Sequence, residues 1–377
     1  MNLAILGICD FEDWNNPDPI SMGGSSGVIK SILPHLKAEK IYLLGITSKK
    51  ENLRKELKLF KNVSIYPIVY VSKGSKVPER FLTLWYARKI NNVLKELDIQ
   101  SIYSHSEEML YWVSPKFNIL YHMHGANNAL AKAKLKLFRS KAFLYLWSNI
   151  RKKNIIKANK IVAINNLCVD VIKKYKRGDK AILIPNFVDT SVYYHDNTKS
   201  ELLKNINENI VLFVGRIEEV KGLELFVDIV KKLDKVEKGM WKGVIVGRGS
   251  YKKQLETYIS KESNEALFFF AGAVFDQQEL RKIYSQSSVL IISSLFEGIP
   301  MVVLEALACG TPVVSTNVGG IKQLIADEKE CFVIDERNPD LFVEKILQIQ
   351  NKAEEINSEF KFSVQQSSVI INELLNN

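Results

Sequence analysis

SVLIISSLFEGIPMVVLEALACGTPVVSTNVGG, residues 288–320, decides how this chain is read. The apolar run SVLIIS (288–293) has the length and β-branched content of a strand and ends at Ser293-Ser294. A glycine-containing loop with Glu297 follows, then a short apolar helix carrying Glu305, stopped by Cys309-Gly310. A second apolar run, PVVST (312–316), leads to the turn Gly319-Gly320. Strand, loop, helix and strand in succession form one repeat of a parallel α/β sheet.

The same alternation extends in both directions. Toward the C-terminal side of the chain it reads NIVLFVG (209–215), GVIVG (243–247), ALFFFAG (266–272), SVLIIS, PVVST and CFVI (331–334). Toward the N-terminal side it reads LAILGIC (3–9), IYLLGI (41–46), SIYPIVYV (64–71), SIYSH (101–105), NILYHMHG (118–125) and KIVAINN (160–166). Two sets of strands separated by helices predict two doubly wound, Rossmann-like α/β domains. The total of 377 residues suits two cores of ordinary size with a cleft between them. AILIPNFVD (181–189) closes the first set. The expected division is 1–187, 188–355, and a C-terminal helix at 356–377 that can pack back on the first domain.

Composition narrows the class. Apolar residues make up 46% and charged residues 25%, the balance of a globular protein. No apolar run has the length needed to span a bilayer, and MNLAILGIC lacks the basic start of a signal segment, so it is read as a first strand. Cys9, Cys168, Cys309 and Cys331 have neither CxxC spacing nor disulfide-scaffold density, which suits reduced thiols in a cytoplasm. The net charge of +10 is uneven: residues 1–187 hold 31 Lys+Arg against 14 Asp+Glu, and residues 188–377 hold 21 against 28. The N-terminal half therefore carries +17 and the C-terminal half −7, which directs an anionic partner to the first half.

Ligands of open α/β sheets bind beyond the carboxyl ends of strands. At one such end lies Gly215-Arg216, followed by IEEVKGLELF, which sets Lys221 and Gly222 before a helix. Two cations and a helix N-terminus suit a diphosphate. The plain alternative is that Arg216 and Lys221 pair with Glu218 and Glu219 on a solvated turn. Glu297 and Glu305 are eight residues apart, so a helix beginning near Glu297 puts both carboxylates on broadly one side. Glu305 lies in a very apolar setting, where a carboxylate needs hydrogen-bond donors, and sugar or ribose hydroxyls are suitable ones. The alternatives are a buried salt bridge for Glu305 and a helix-capping role for Glu297.

Taken together, Gly215-Arg216, Lys221-Gly222, Glu297-Gly298, Glu305-Ala306, Gly310-Thr311-Pro312-Val313 and Gly319-Gly320 resemble the retaining glycosyltransferases of family 4, with Glu297 and Glu305 as that family's E-x7-E motif. The match extends over most of 183–334 and includes Pro185-Asn186 and Val188-Asp189. Phe187 and Arg248 depart from the family pattern. The resemblance implies the GT-B fold, two Rossmann-like domains facing a central cleft. It implies that Arg216 and Lys221 bind the donor diphosphate, that Glu297 contacts hydroxyls of the donor sugar, that Gly298, Ile299 and Pro300 belong to the donor-binding site, and that Glu305 binds ribose. Gly247, Ala273 and Val274 are implied to lie against the base.

In the first half, Gly23-Gly24 precede a helix and resemble the family's glycine-rich turn, although such pairs also serve turns alone. His122 and His124 lie in LYHMHGANN at a strand end, on one face by strand alternation. His124 matches the place of the family's active-site histidine, with His122 as a second choice. His105, Glu107 and Asn127 are further acceptor-side candidates.

The resemblance implies retention, with a diphosphate oxygen helping to remove the acceptor proton. The chain has no Asp-x-Asp triplet for holding donor phosphate through a metal, so no cofactor is expected and activity should be metal-independent. Residues 130–160 carry ten Lys/Arg and no Asp/Glu, interleaved with Phe138, Phe143, Tyr145 and Trp147. This pattern suits an anionic membrane surface, or else a solvated helix with its aromatics packed inward. No nucleic-acid motif accompanies it. The functional expectation is transfer of a hexose or N-acetylhexosamine from a UDP- or GDP-linked donor to a glycan, lipid-linked, at the inner face of the cell membrane in bacterial capsule or lipopolysaccharide synthesis. The alternatives are a nucleotide-sugar epimerase of the same fold, a transferase acting on a soluble acceptor, and a non-catalytic nucleotide-sugar-binding partner.

Overall fold

The computed structural model describes residues 1–15, 24–72, 75, 77–126, 140–261, 264–325, 331–350 and 360–376. The chain divides into one unit of Met1–Pro185 with Gln365–Asn377 and a second of Asn186–Val364. Each is a doubly wound α/β domain on its own sheet.

The first sheet has nine strands: β1 (Asn2–Asp10), β2 (Lys40–Thr47), β3 (Leu57–Phe60), β4 (Val63–Ile65), β5 (Val69–Tyr70), β6 (Ser101–Ser104), β7 (Asn118–Met123), β8 (Lys160–Ala163) and β9 (Ala181–Leu183). Their order is β3-β4-β2-β1-β6-β7-β8-β9, with β5 also beside β2. All pairs are parallel except β3 with β4. SIYPIVYV, expected as one strand, is divided into β4 and β5. Pro67 stands between them, and its missing N–H interrupts the ladder. The edge strand β3 escaped the sequence reading because LKLF is short and only half-buried. The chain leaves β1 for β2 on one side and returns to β6 on the other, so the strand order reverses between β1 and β6.

Helix Val364–Asn376 is tied to this first unit. Asn372 donates to the His35 carbonyl at 2.9 Å and accepts from the Lys37 N–H at 2.7 Å. Ser101 donates to the Leu375 carbonyl at 3.1 Å.

The second sheet comprises β10 (Asn209–Val214), β11 (Trp241–Val246), β12 (Phe268–Gly272), β13 (Val289–Ile292), β14 (Val313–Thr316) and β15 (Phe332–Ile334) in the order β12-β11-β10-β13-β14-β15, all parallel. This is the 3-2-1-4-5-6 order of dinucleotide-binding sheets, with its switch point between β10 and β13. Val289 to Ile292 are all buried, as a central parallel strand requires. Helix Leu223–Val236 buries Leu223, Phe226, Val227, Val230 and Leu233 at helical spacing in the core with Trp241 and Ile245. Each such side chain contributes about 1.5–3 kcal/mol on burial. That packing anchors the helix whose first turn faces the switch point.

Candidate functional site

The carboxyl ends of β10 and β13 bring two distant segments together. After β10, Gly222 takes the left-handed conformation (φ +54°) at the start of helix Leu223–Val236. A Cβ there would stand 2.6 Å from the Ser293 carbonyl, so only glycine permits this approach. Ser293 Oγ donates to the Lys221 carbonyl at 2.9 Å, and the Leu295 N–H donates to the Val220 carbonyl at 2.9 Å. These backbone ties place Lys221 Nζ 2.5 Å from Glu297 Oε1. Ser294 Oγ donates to the same carboxylate oxygen at 2.7 Å. The two side chains are 18% and 13% exposed, so the pair is partly desolvated and held at the switch point. Arg337, beyond β15, donates from Nη1 to the Ser293 carbonyl at 2.7 Å and braces the same junction.

The loop 297–300 differs from expectation. The helix carrying Glu305 spans Met301–Ala308 with Pro300 at its cap position and no side-chain capping bond. It does not begin near Glu297, because the residue before a proline is pushed out of helical geometry. Glu297 is therefore neither a helix cap nor on a helical face shared with Glu305. Gly298 accepts from the Gly320 N–H at 2.9 Å, and the Ile299 carbonyl accepts from Asn186 Nδ2 at 3.1 Å. Ile299 and Pro300 are buried. Gly319, at φ +60°, lets its turn slide under this loop, since a Cβ there would meet the Gly298 carbonyl at 2.1 Å.

Glu305 accepts a hydrogen bond from the Tyr284 hydroxyl at 2.8 Å. Its partner is thus a buried phenol, not the cation of a salt bridge. Burial pushes its pKa up to about 7, against the lowering by that hydrogen bond. A carboxylate this reluctant to ionise has capacity for further donors.

Arg216 is 71% exposed, and its Nη1 donates to Glu218 at 2.8 Å. The solvated pairing weighed as its alternative is thus formed, but between such exposed groups it contributes little. Gly247 (φ +147°) abuts the Gly215 carbonyl, where a Cβ would stand only 1.8 Å away. Beside it, the Arg248 guanidinium lies 5.1 Å from the centre of the Phe275 ring. Ala273 and Val274 follow β12 and are partly buried.

In the first unit, β6 and β7 are neighbours next to the reversal at β1. His105 follows β6, and His122 and His124 lie at the end of β7. His105 Nδ1 and His124 Nε2 are 2.7 Å apart, and Tyr103 Oη is 2.7 Å from His122 Nδ1. The His122 and His124 rings stack at 4.4 Å with an angle of 6°. Burial holds the pKa of His124 down at about 4 and those of His105 and His122 well below the usual value, with mutual repulsion adding to the last two. All three are neutral at pH 7.

Glu107 Oε1 is engaged by Arg151 Nε at 2.7 Å and the Tyr121 hydroxyl at 2.8 Å, an ion pair inside the unit. Gly24 is the first residue of helix Gly24–Ile32, with nothing within 4 Å of where its Cβ would lie. Gly23, Asn127 and residues 130–139 of the basic stretch lie outside the described residues.

The rest of that stretch forms helix Lys141–Lys157. Trp147 is buried and Phe143 packs beside it, both against Phe81 at 5.2 and 5.6 Å. Arg151 also points inward. Trp147 and Arg151 are thus buried within the unit rather than interfacial, Phe143 is partly buried beside Trp147, and Tyr145 and Leu146 remain on the surface. Among the described residues, no helix is long and apolar enough to cross a membrane.

Tyr284, Ser294 and Arg337 escaped the sequence reading. Common residue types at unpatterned distances carried no signal; only the fold brings them to Glu305, Glu297 and Ser293.

Two α/β domains on largely parallel sheets, one with the dinucleotide strand order, place the Lys221–Glu297 pair at a switch point, where open α/β sheets bind ligands. The family model of glycosyl transferases group 1 matches residues 195–361. An uncharacterised glycosyltransferase of Methanocaldococcus jannaschii is 26% identical over 338 residues, 88% of this chain and 86% of that protein. Sucrose-phosphate synthase from Thermosynechococcus elongatus superposes with a TM-score of 0.74 at 14% identity, covering 100% of this chain and 95% of that one. Anabaena HepE in complex with UDP-glucose gives 0.66 at 16%, covering 100% and 98%. The chain has the GT-B fold, and the match to the group 1 glycosyl transferase model lies within its second unit.

Proposed function

We propose that this protein is a retaining, family 4 hexosyltransferase that moves a hexose or N-acetylhexosamine from a UDP- or GDP-linked donor to a lipid-linked glycan acceptor of a bacterial surface polysaccharide. The observation that carries the reading is the Lys221–Glu297 pair, held by Ser293 and Ser294 at the carboxyl edge of the switch point. The UDP-glucose found in the Anabaena protein of like fold supports a nucleotide-sugar donor.

As the bond from the sugar to the diphosphate breaks, negative charge grows on the leaving group and positive charge on the sugar. Lys221 and Arg216 serve the leaving group, and the exposed Glu218 releases Arg216 at little cost. Glu297, once Lys221 turns to phosphate, accepts from sugar hydroxyls. Glu305, braced by Tyr284, accepts from ribose hydroxyls. The acceptor oxygen attacks from the face the diphosphate leaves, its proton passing to a diphosphate oxygen, so the configuration is retained. His124 belongs to the acceptor side in this reading, with His122, His105, Glu107 and Asn127 near it in sequence or structure.

Thermal shifts with UDP-, GDP- and ADP-linked sugars identify the donor, since a ligand at 100 times its Kd stabilises by about 2.7 kcal/mol. Incubation with that donor and a lipid-linked glycan should yield a product whose anomeric configuration matches the donor. Inversion would overturn retention, and an isomerised sugar formed without acceptor would replace transfer with epimerisation.

A further inference from the structure

The proposed transfer employs His124 but gives no task to the cluster around it. One ring nitrogen each of His105, His122 and His124 lies within 4.8 Å of the others. His105 Nδ1 and His124 Nε2, 2.7 Å apart, share a single proton. On His122, Tyr103 occupies Nδ1, and Nε2 is buried without a hydrogen-bond partner. Nε2 of His105 is likewise buried and unpartnered. Leaving a buried polar atom unpaired costs about 1–3 kcal/mol, so the orphaned Nε2 of His122, beside two further imidazoles, is hard to account for as packing alone.

We propose that His105, His122 and His124 form a binding site for a divalent transition ion of the zinc class. A set of three imidazoles selects zinc-class ions over magnesium or calcium, which require oxygen ligands. Neutral imidazole is the binding form. The ion takes the place of the proton between His105 and His124. Two Zn–N bonds of about 2.0–2.1 Å at a tetrahedral angle hold their nitrogens about 3.3 Å apart, so the pair opens by roughly 0.6 Å, and His122, stacked on His124 at 6°, tilts out of the stack to aim its nitrogen at the same ion. The ring that donated that hydrogen bond moves its proton to its other nitrogen, and no proton is released. His122 supplies Nε2, and its Nδ1–H donates to Tyr103 Oη, an outer partner that fixes tautomer and ring orientation. Three protein ligands leave a fourth position open. One consequence rests on the proposed function: an ion on His124 withdraws it from the acceptor side and inhibits transfer.

The test uses full-length, tag-free protein stripped with chelator and titrated with Co²⁺. A saturable visible absorption at one equivalent, displaced by Zn²⁺ and untouched by Mg²⁺, is expected. His105→Gln, His122→Gln and His124→Gln should each weaken Co²⁺ binding by about tenfold or more. No saturable absorption in the wild type, or unchanged affinity in all three variants, overturns the site. Should a variant fail to fold, the wild-type melting temperature decides: a rise with Zn²⁺ and none with Mg²⁺ supports the site, and equal shifts with both overturn it. Neither measurement involves donor or acceptor, so this proposal and the transferase reading fail separately.

Discussion

Lys221 has one neighbour that decides its chemistry: the Glu297 carboxylate, which keeps the ammonium in place until phosphate competes for it. Arg216→Ala or Lys221→Ala should lower turnover by a factor of about 100 or more, the scale of a lost electrostatic stabiliser. Steady-state kinetics with the identified donor checks this, and near-normal turnover in both variants would refute the assignment. Glu305 adds a pH signature. Burial raises its free-state pKa to about 7, and ribose hydroxyls donate more strongly to the ionised form. Donor affinity should therefore rise with pH through about 7, by up to tenfold per pH unit below it, and flatten above. Isothermal titration across that range should show the slope in the wild type and its loss in Glu305→Gln. At this scale Arg216, Lys221, Glu297 and Glu305 were legible as charged residues at strand ends and in an apolar helix. Tyr284, Ser294 and Arg337 were not, because a hydrogen-bond donor of ordinary type has no sequence pattern of its own.

Turns, more than regular elements, set the geometry of the second sheet's carboxyl edge. Gly247 carries a left-sided φ and touches the Gly215 carbonyl, so Gly247→Ala combines backbone strain of about 1–3 kcal/mol with steric overlap. A clear drop in melting temperature is expected, and an unchanged one would show that the edge can rearrange. Elements also explain where pattern reading failed. Pro300 moved the helix start to Met301 and separated the two glutamates, and Pro67 divided an apolar run into β4 and β5. In helix Lys141–Lys157, composition alone did not say which aromatics face inward. Trp147→Ala should cost about 3–5 kcal/mol by denaturant unfolding, as a core truncation does, and Tyr145→Ala less than about 0.5 kcal/mol.

For the whole molecule, the expected donor chemistry uses cations of the chain, so transfer should survive EDTA; complete loss on chelation would contradict it. The proposed lipid-linked acceptor concerns the surface that the inward turn of Trp147 and Phe143 leaves. Tyr145 and Leu146 of that helix are exposed; elsewhere in the same unit Trp85 and Tyr86 are exposed too, with Arg88 stacked 3.8 Å over Trp85. Sedimentation with anionic vesicles at low salt, diminished in Lys152→Glu/Lys153→Glu, is the expected outcome, and no sedimentation would count against a membrane-borne acceptor. The sequence by itself determined the fold class, since apolar runs alternating with helices bury their surface only as parallel α/β layers. It also determined that charge gathers at strand ends. The tertiary structure alone decided which of those charges meet, which aromatics are core, and that three histidines from two strand ends converge. The reason is that strand order and packing, not spacing along the chain, bring residues 76 positions apart, as Lys221 and Glu297 are, to hydrogen-bond distance.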